Sequence, residues 1–164
     1  MKHFIKETDF SIDELPALFE LAHEMKSQQE KHPYKPLLNQ SWGLIFFKHS
    51  TRTRVSFEVG VQELGGNSIM LTADDMQLKR GESISDTARV LSRYLHGLVI
   101  RCYEHETIEI FRKEASVPVI NALTDFLHPC QIYSDIFSLA ERWSPSAPHP
   151  DAVKGRKLVF FGDT

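Results

Sequence analysis

Apolar side chains at Ile12, Leu15, Leu18, Phe19, Ala22 and Met25 recur at helical spacing through residues 11–30, with polar residues between them. This pattern predicts a surface helix. Its start is open between two caps: Ser11 with Glu14 makes a capping box, whereas Asp13 as cap seats Pro16 more easily in a first turn. After a loop marked by Pro33 and Pro36 the period changes. Leu44-Ile45-Phe46-Phe47 is a short continuous apolar run, as in a strand buried on both faces.

The pattern then repeats as strand, loop and helix. Thr53 to Leu64 is helical, with Val55/Val59 and Phe57/Val61 each four apart and Gly65-Gly66 as the stop. Ser68 to Leu71 is a second strand, followed by a polar loop from Thr72 to Ser85 and a helix from Asp86 to Leu95. Leu98 to Cys102 is a third strand, Glu106 to Ala115 a helix, and Val117 to Ala122 a fourth strand with Pro118 near its start. Pro129 opens a helix that carries Ile132, Ile136, Leu139, Ala140 and Trp143 on one side. Strands alternating with helices over short loops predict an α/β domain, a parallel sheet of about four strands with helices on both faces. That domain is expected over 1–143. A Pro/Ser-rich linker is expected over 144–156. Lys157 to Thr164 reads as the first strand of a second α/β unit, cut off before any helix.

Length and composition agree with one such domain: 164 residues, 41% hydrophobic and 25% charged. A formal net charge of −3 gives no global attraction to nucleic acid or to an anionic membrane. No apolar run reaches the length that spans a bilayer, and Met1 to Lys6 is too short and too charged for a secretory core segment. With only Cys102 and Cys130 present, a reduced, cytoplasmic protein is expected, without a structural disulfide.

Against that slightly acidic background one stretch stands out. Ser50-Thr51-Arg52-Thr53-Arg54 lies between the strand ending at Phe47 and the helix continuing through Val55. Unpaired N–H groups and the helix dipole favour an anion there, and the hydroxyls and Arg52 add donors around a phosphate or carboxylate. From Lys48 to Arg54 there are three positive charges, one His and no acid. A Ser/Thr cap followed by solvated arginines explains a single hydroxyl, but not hydroxyls and guanidinia packed so closely beneath a buried strand. Neither a G-x-x-x-x-G-K-[ST] nor a G-x-G-x-x-G pattern occurs, so nucleotide binding has little support. Arg101 closes the third strand and His128-Pro129-Cys130-Gln131 follows the fourth. In a parallel sheet these converge with Ser50 to Arg54 at the carboxyl ends of the strands. A zinc site from His49, His105, His128 and Cys130 is poorly supported by spacing, and no metal or other cofactor is expected.

Ser-Thr-Arg-Thr-Arg followed by Val55-Ser56-Phe57-Glu58, then Asp86-Thr87-Ala88-Arg89-Val90-Leu91 and His128-Pro129-Cys130-Gln131, resembles the carbamoyl-phosphate domain of ornithine carbamoyltransferases, from the first helix to about Trp143. The related aspartate enzymes share S-T-R-T-R and H-P-x-Q but usually differ around Met76-Gln77-Leu78 and the D-T-A-R-V-L run. Two departures from the family occur: His49 stands where Pro is usual, and Phe46-Phe47-Lys48 replaces the commoner Phe-Glu-Lys. The resemblance implies that Ser50, Thr51, Arg52 and Thr53 hold the phosphate of carbamoyl phosphate and that Arg101, His128 and Gln131 surround its carbamoyl end. Among these, Arg101, His128, Gln131 and Thr53 are the catalytic candidates. It implies further that Gln77 reaches a phosphate across a subunit boundary in a homotrimer. Ornithine would be met mostly by a second domain beyond Thr164, so this chain alone is expected to bind carbamoyl phosphate weakly and transfer nothing. A carbamoyltransferase for aspartate, putrescine or acetylornithine, and a non-catalytic phosphometabolite-binding module, are the alternatives.

Overall fold

The computed structural model describes residues 1–27, 34–72, 76, 81–159 and 161–162. Helix α1 runs Leu15–Ser27 and is preceded by a 3-10 turn, Ile12–Glu14. In that turn the Glu14 carboxylate accepts from the Ser11 backbone N–H at 2.8 Å, as a capping box requires. The tighter winding rotates Ile12 off the apolar face, leaving it 84% exposed, while α1 buries Phe19. The expected continuation of this helix to residue 30 lies outside the described residues.

The remaining elements are β1 (Ser41–Phe46), α2 (Thr51–Glu63), β2 (Asn67–Thr72), α3 (Ile84–Leu91), β3 (Gly97–Arg101), α4 (His105–Glu114), β4 (Val119–Leu123) and α5 (Pro129–Trp143). Two helices begin earlier than their apolar pattern implies, because hydroxyl caps set their starts. The Ser50 hydroxyl accepts from the Thr53 N–H at 3.3 Å, and the Ser83 hydroxyl accepts from the Asp86 N–H at 3.0 Å. Thr51 and Arg52 therefore join Thr53 in the first turn of α2 rather than lying in the loop before it.

The four strands pair in the order β2-β1-β3-β4, all parallel. Chain direction across the sheet reverses at β1: α2 leads outward to β2, and α3 carries the chain back past β1 to β3. The crevice beyond the carboxyl ends of β1 and β3 is thus the topological switch point, where open α/β sheets take their ligands. These ends are level, with Phe46 opposite Arg101.

Alternating residues of the central strands feed two cores. Ile45, Leu98 and Ile100 pack with Ala88 of α3 and with Ile108 and Phe111 of α4. Leu44, Phe46 and Val99 pack with Val61 and Phe57 of α2 on the other face, so helices cover both faces as expected. Gly97 belongs to this packing by close approach, since a Cβ there would stand 2.5 Å from the Trp42 ring. The chain's first residues supply an element that the hydrophobic pattern does not reveal. Phe4 forms a parallel bridge to Ile120, donating to the Val119 carbonyl and accepting from the Asn121 N–H, both at 2.8 Å. It thereby extends the sheet beyond β4.

Within the stretch expected as a linker, Pro150–Val153 forms a 3-10 turn, and the Arg156 guanidinium lies 4.4 Å from the Trp143 ring centroid. Among residues 157–159 and 161–162 no strand forms, and Leu158, Val159 and Phe161 are exposed.

Candidate functional site

Three segments bring their polar groups to the switch point. α2 presents its N-terminal turn after β1, Arg101 ends β3, and His128 precedes the first turn of α5 after β4. A cleft of about 320 Å³ is lined by Arg52, Thr53, Ser56, His128, Gln131 and Ser134, among others. Arg101 joins it through Thr53, whose hydroxyl oxygen accepts from the Arg101 Nη1 at 3.3 Å. Ser50 and Thr51 open instead onto a neighbouring cleft of about 500 Å³ that also contains Lys48, His49 and Arg54. Thus Arg52, Thr53, Arg101, His128 and Gln131 gather in one place, and Ser50 and Thr51 flank it on the far side of the same helix terminus. Gln77 lies outside the described residues.

The electrostatics are more selective than the count of charges along the chain implies. Lys48 is ion-paired with Asp125 and sits 4.4 Å from the Tyr103 ring centroid. Arg54 lies 3.7 Å from the Glu58 carboxylate. Among the described residues Arg52 and Arg101 have no acidic partner, so the uncompensated positive charge is concentrated at the smaller cleft. Burial disfavours the charged form of Arg101 and lowers its pKa. The His128 imidazole pKa is pushed down by burial first and by the Arg101 charge second, with Asp135 opposing, which favours its neutral form.

Two polar atoms in this cluster are buried without a hydrogen-bond partner, Arg101 Nε and His128 Nδ1. Leaving such a group unpaired costs about 1–3 kcal/mol, and native structures rarely carry two so close without a use for them. With a helix N-terminus and the exposed Arg52 beside them, the complementary ligand is a small anion with further acceptors. Gln131 is already half-committed: its Nε2 donates to the Asp135 carboxylate at 2.8 Å, which leaves its amide oxygen to accept from a ligand N–H. Cys130 is no nucleophile here. Its thiol donates to the Asn121 carbonyl at 3.4 Å, and burial pushes its pKa up to about 12. No three His, Cys, Asp or Glu side chains converge as metal ligands among the described residues. No helix among them is long and apolar enough to cross a membrane.

Two structural contributors escape a motif search. Asn121 is fully buried and bonded to the loop that carries His128, and the Thr124 hydroxyl accepts from the Leu127 N–H at 3.1 Å. Their only signal in the sequence is a polar residue within an apolar strand run and a hydroxyl just after it.

Fold and site together define a parallel α/β domain with a cleft of cationic and hydroxyl side chains at the switch point of its sheet. Residues 2–141 match the family model described as aspartate/ornithine carbamoyltransferase, carbamoyl-P binding domain, and the chain belongs to that family. It is 45% identical over 163 residues to the ornithine carbamoyltransferase of Akkermansia muciniphila, covering 99% of this chain and 52% of that protein. Among solved structures, the ornithine carbamoyltransferase of Burkholderia thailandensis superposes with a TM-score of 0.82 at 38% identity, covering 88% of this chain and 50% of that one. The Pyrococcus furiosus enzyme gives 0.81 at 44% identity, covering 86% and 45%. The chain thus spans about half the length of the curated relatives it matches.

Proposed function

We propose that this chain is the carbamoyl-phosphate-binding part of an ornithine carbamoyltransferase, which makes citrulline and phosphate from carbamoyl phosphate and ornithine in cytoplasmic arginine metabolism. The observation that carries the reading is the pair of buried, unpartnered atoms on Arg101 and His128 beside the N-terminus of α2. The relatives' shared name supports ornithine over aspartate, putrescine or acetylornithine as the amine.

In this reading Ser50, Thr51, Arg52 and Thr53 hold the phosphate group with backbone N–H groups, hydroxyls and a guanidinium. Arg101, neutral His128 and the Thr53 hydroxyl donate to the carbonyl oxygen, and the free amide oxygen of Gln131 accepts from the carbamoyl NH2. The substrate amine attacks the carbonyl carbon, a C–N bond forms, the C–O bond to phosphate breaks, and the amine gives up a proton. No covalent bond to the protein is needed. The donors stabilise the oxyanion that develops and the phosphate that leaves, and each is worth roughly 2.7–4 kcal/mol in such sites. An amine with a pKa of about 10.4 is neutral in roughly one molecule in 2500 at pH 7, so its deprotonation needs its own groups. We place these, and most of the ornithine site, in the part of the relatives that this chain does not cover, with 157–164 as its opening. Gln77 reaching the phosphate of a neighbouring copy in a homotrimer completes the proposal.

Calorimetric titration tests it. The chain is expected to bind carbamoyl phosphate more tightly than inorganic phosphate, and Arg52→Ala is expected to weaken both at least tenfold, the scale of one charge-assisted contact. Binding that is absent, or untouched by Arg52→Ala, overturns the reading.

A further inference from the structure

The β3–β4 ladder is regular through Leu98↔Val119, Val99↔Ile120 and Ile100↔Asn121, and then slips, so that Arg101 faces Leu123. Asn121 stands at the slip, fully buried, with both ends of its amide engaged. Its Oδ1 accepts from the Leu123 N–H at 2.9 Å, a local bond that competes with the ladder and creates the extra residue of a bulge. Its Nδ2 donates to the Ile5 carbonyl at 3.0 Å and to the Leu127 carbonyl at 3.4 Å. Leu123 is held at a φ of +140°, a conformation that a leucine adopts only under constraint. Its carbonyl accepts from the Cys102 N–H at 3.0 Å.

One side chain is therefore bonded into the flanks of both chemical residues. Through Leu123 it fixes the backbone immediately after Arg101, and through Leu127 it fixes the backbone immediately before His128. A leucine of similar size would fill this space without burying an amide. The polar group adds what an apolar one does not, a defined offset between the end of β3 and the loop after β4.

We propose that Asn121 is a positioning residue that sets Arg101 and His128 in phase with each other, and so determines how well the carbamoyl end of the ligand is held. The inference rests on the functional reading above, and it predicts a split. The phosphate group is gripped by the first turn of α2, which Asn121 does not touch, whereas the carbamoyl group is gripped by the two residues that Asn121 aligns.

The test is titration of the chain with carbamoyl phosphate and, separately, with inorganic phosphate, in wild type and Asn121→Asp. This variant keeps the acceptor for Leu123 but turns a carboxylate oxygen toward the Ile5 and Leu127 carbonyls. Carbamoyl phosphate affinity is expected to fall about tenfold, with inorganic phosphate affinity held within about twofold. Equal losses for the two ligands, or no loss, overturn the inference while leaving the functional reading intact. A wild type that does not prefer carbamoyl phosphate overturns the functional reading instead, and the inference with it. Circular dichroism checks folding. If Asn121→Asp fails to fold, the smaller, uncharged Asn121→Ser is read the same way, and if neither folds, the role is structural and the inference is overturned.

Discussion

The pKa values of His128 and His3 are both lowered chiefly by burial. A histidine whose folded pKa lies below its unfolded value of about 6.5 contributes stability that is present above that value and is lost as the pH falls through the folded one. The melting temperature is therefore expected to drop between pH 7.5 and 5, and His128→Gln is expected to flatten part of that drop. A slope identical to wild type would show that His128 is not among the groups responsible. The thiols behave oppositely, with Cys102 pushed up to about 11 and Cys130 to about 12. Both are expected to resist an alkylating reagent at pH 8 until the protein is denatured. At this scale the sequence discloses candidates better than charges. Arg101 and His128 are legible because they end strands and open helices. The pairing of Lys48 with Asp125 is not, because the carboxylate comes from a loop far along the chain.

The cap at Ser50 serves an element and, in the proposed function, a site as well, and two substitutions separate the roles. Ser50→Ala removes the acceptor for the Thr53 N–H and is expected to cost about 0.5–2 kcal/mol of stability in urea unfolding. Ser50→Asp restores a good cap while placing a negative charge where the anion is expected, so stability should hold while phosphate binding falls below that of Ser50→Ala. Equal binding by the two variants would count against the anion site at this helix end. The same residue explains why the start of α2 eludes a reading by periodicity. Hydrophobic spacing begins with Val55, whereas the backbone begins to wind where a hydroxyl first satisfies a free N–H. β1 and β3, apolar on both faces, are legible directly. Their order in the sheet is not, since alternation of strand and helix states only that crossovers exist, and the reversal at β1 that creates the cleft depends on which way each crossover leads.

At the scale of the whole molecule, the least legible contribution comes from the first residues. Ile5 is completely buried among side chains of the α3 and α4 face. Phe4 and Phe10 surround Tyr133 of α5 with ring centroids 5.1 and 6.1 Å away, and the Tyr133 hydroxyl donates to the Glu7 carbonyl at 2.7 Å. A segment with charged residues on both sides of two apolar ones shows no period, so only tertiary pairing reveals it. Ile5→Ala is expected to cost about 2–5 kcal/mol, as in a core, whereas Ile12→Ala, at an exposed position, should stay within about 0.5 kcal/mol. Urea unfolding of the two variants decides this, and similar midpoints would mean that the terminal segment frays. The pairing of Phe4 with Ile120 also orders events in time. Residues 4 and 5 leave the ribosome well before their partner strand, which lies 116 positions further along the chain. Until β4 emerges, the apolar Ile5 has no sheet edge to join, so the domain cannot close progressively from its beginning. It must hold that segment unplaced while the intervening elements emerge, open to chaperones and proteases in the meantime.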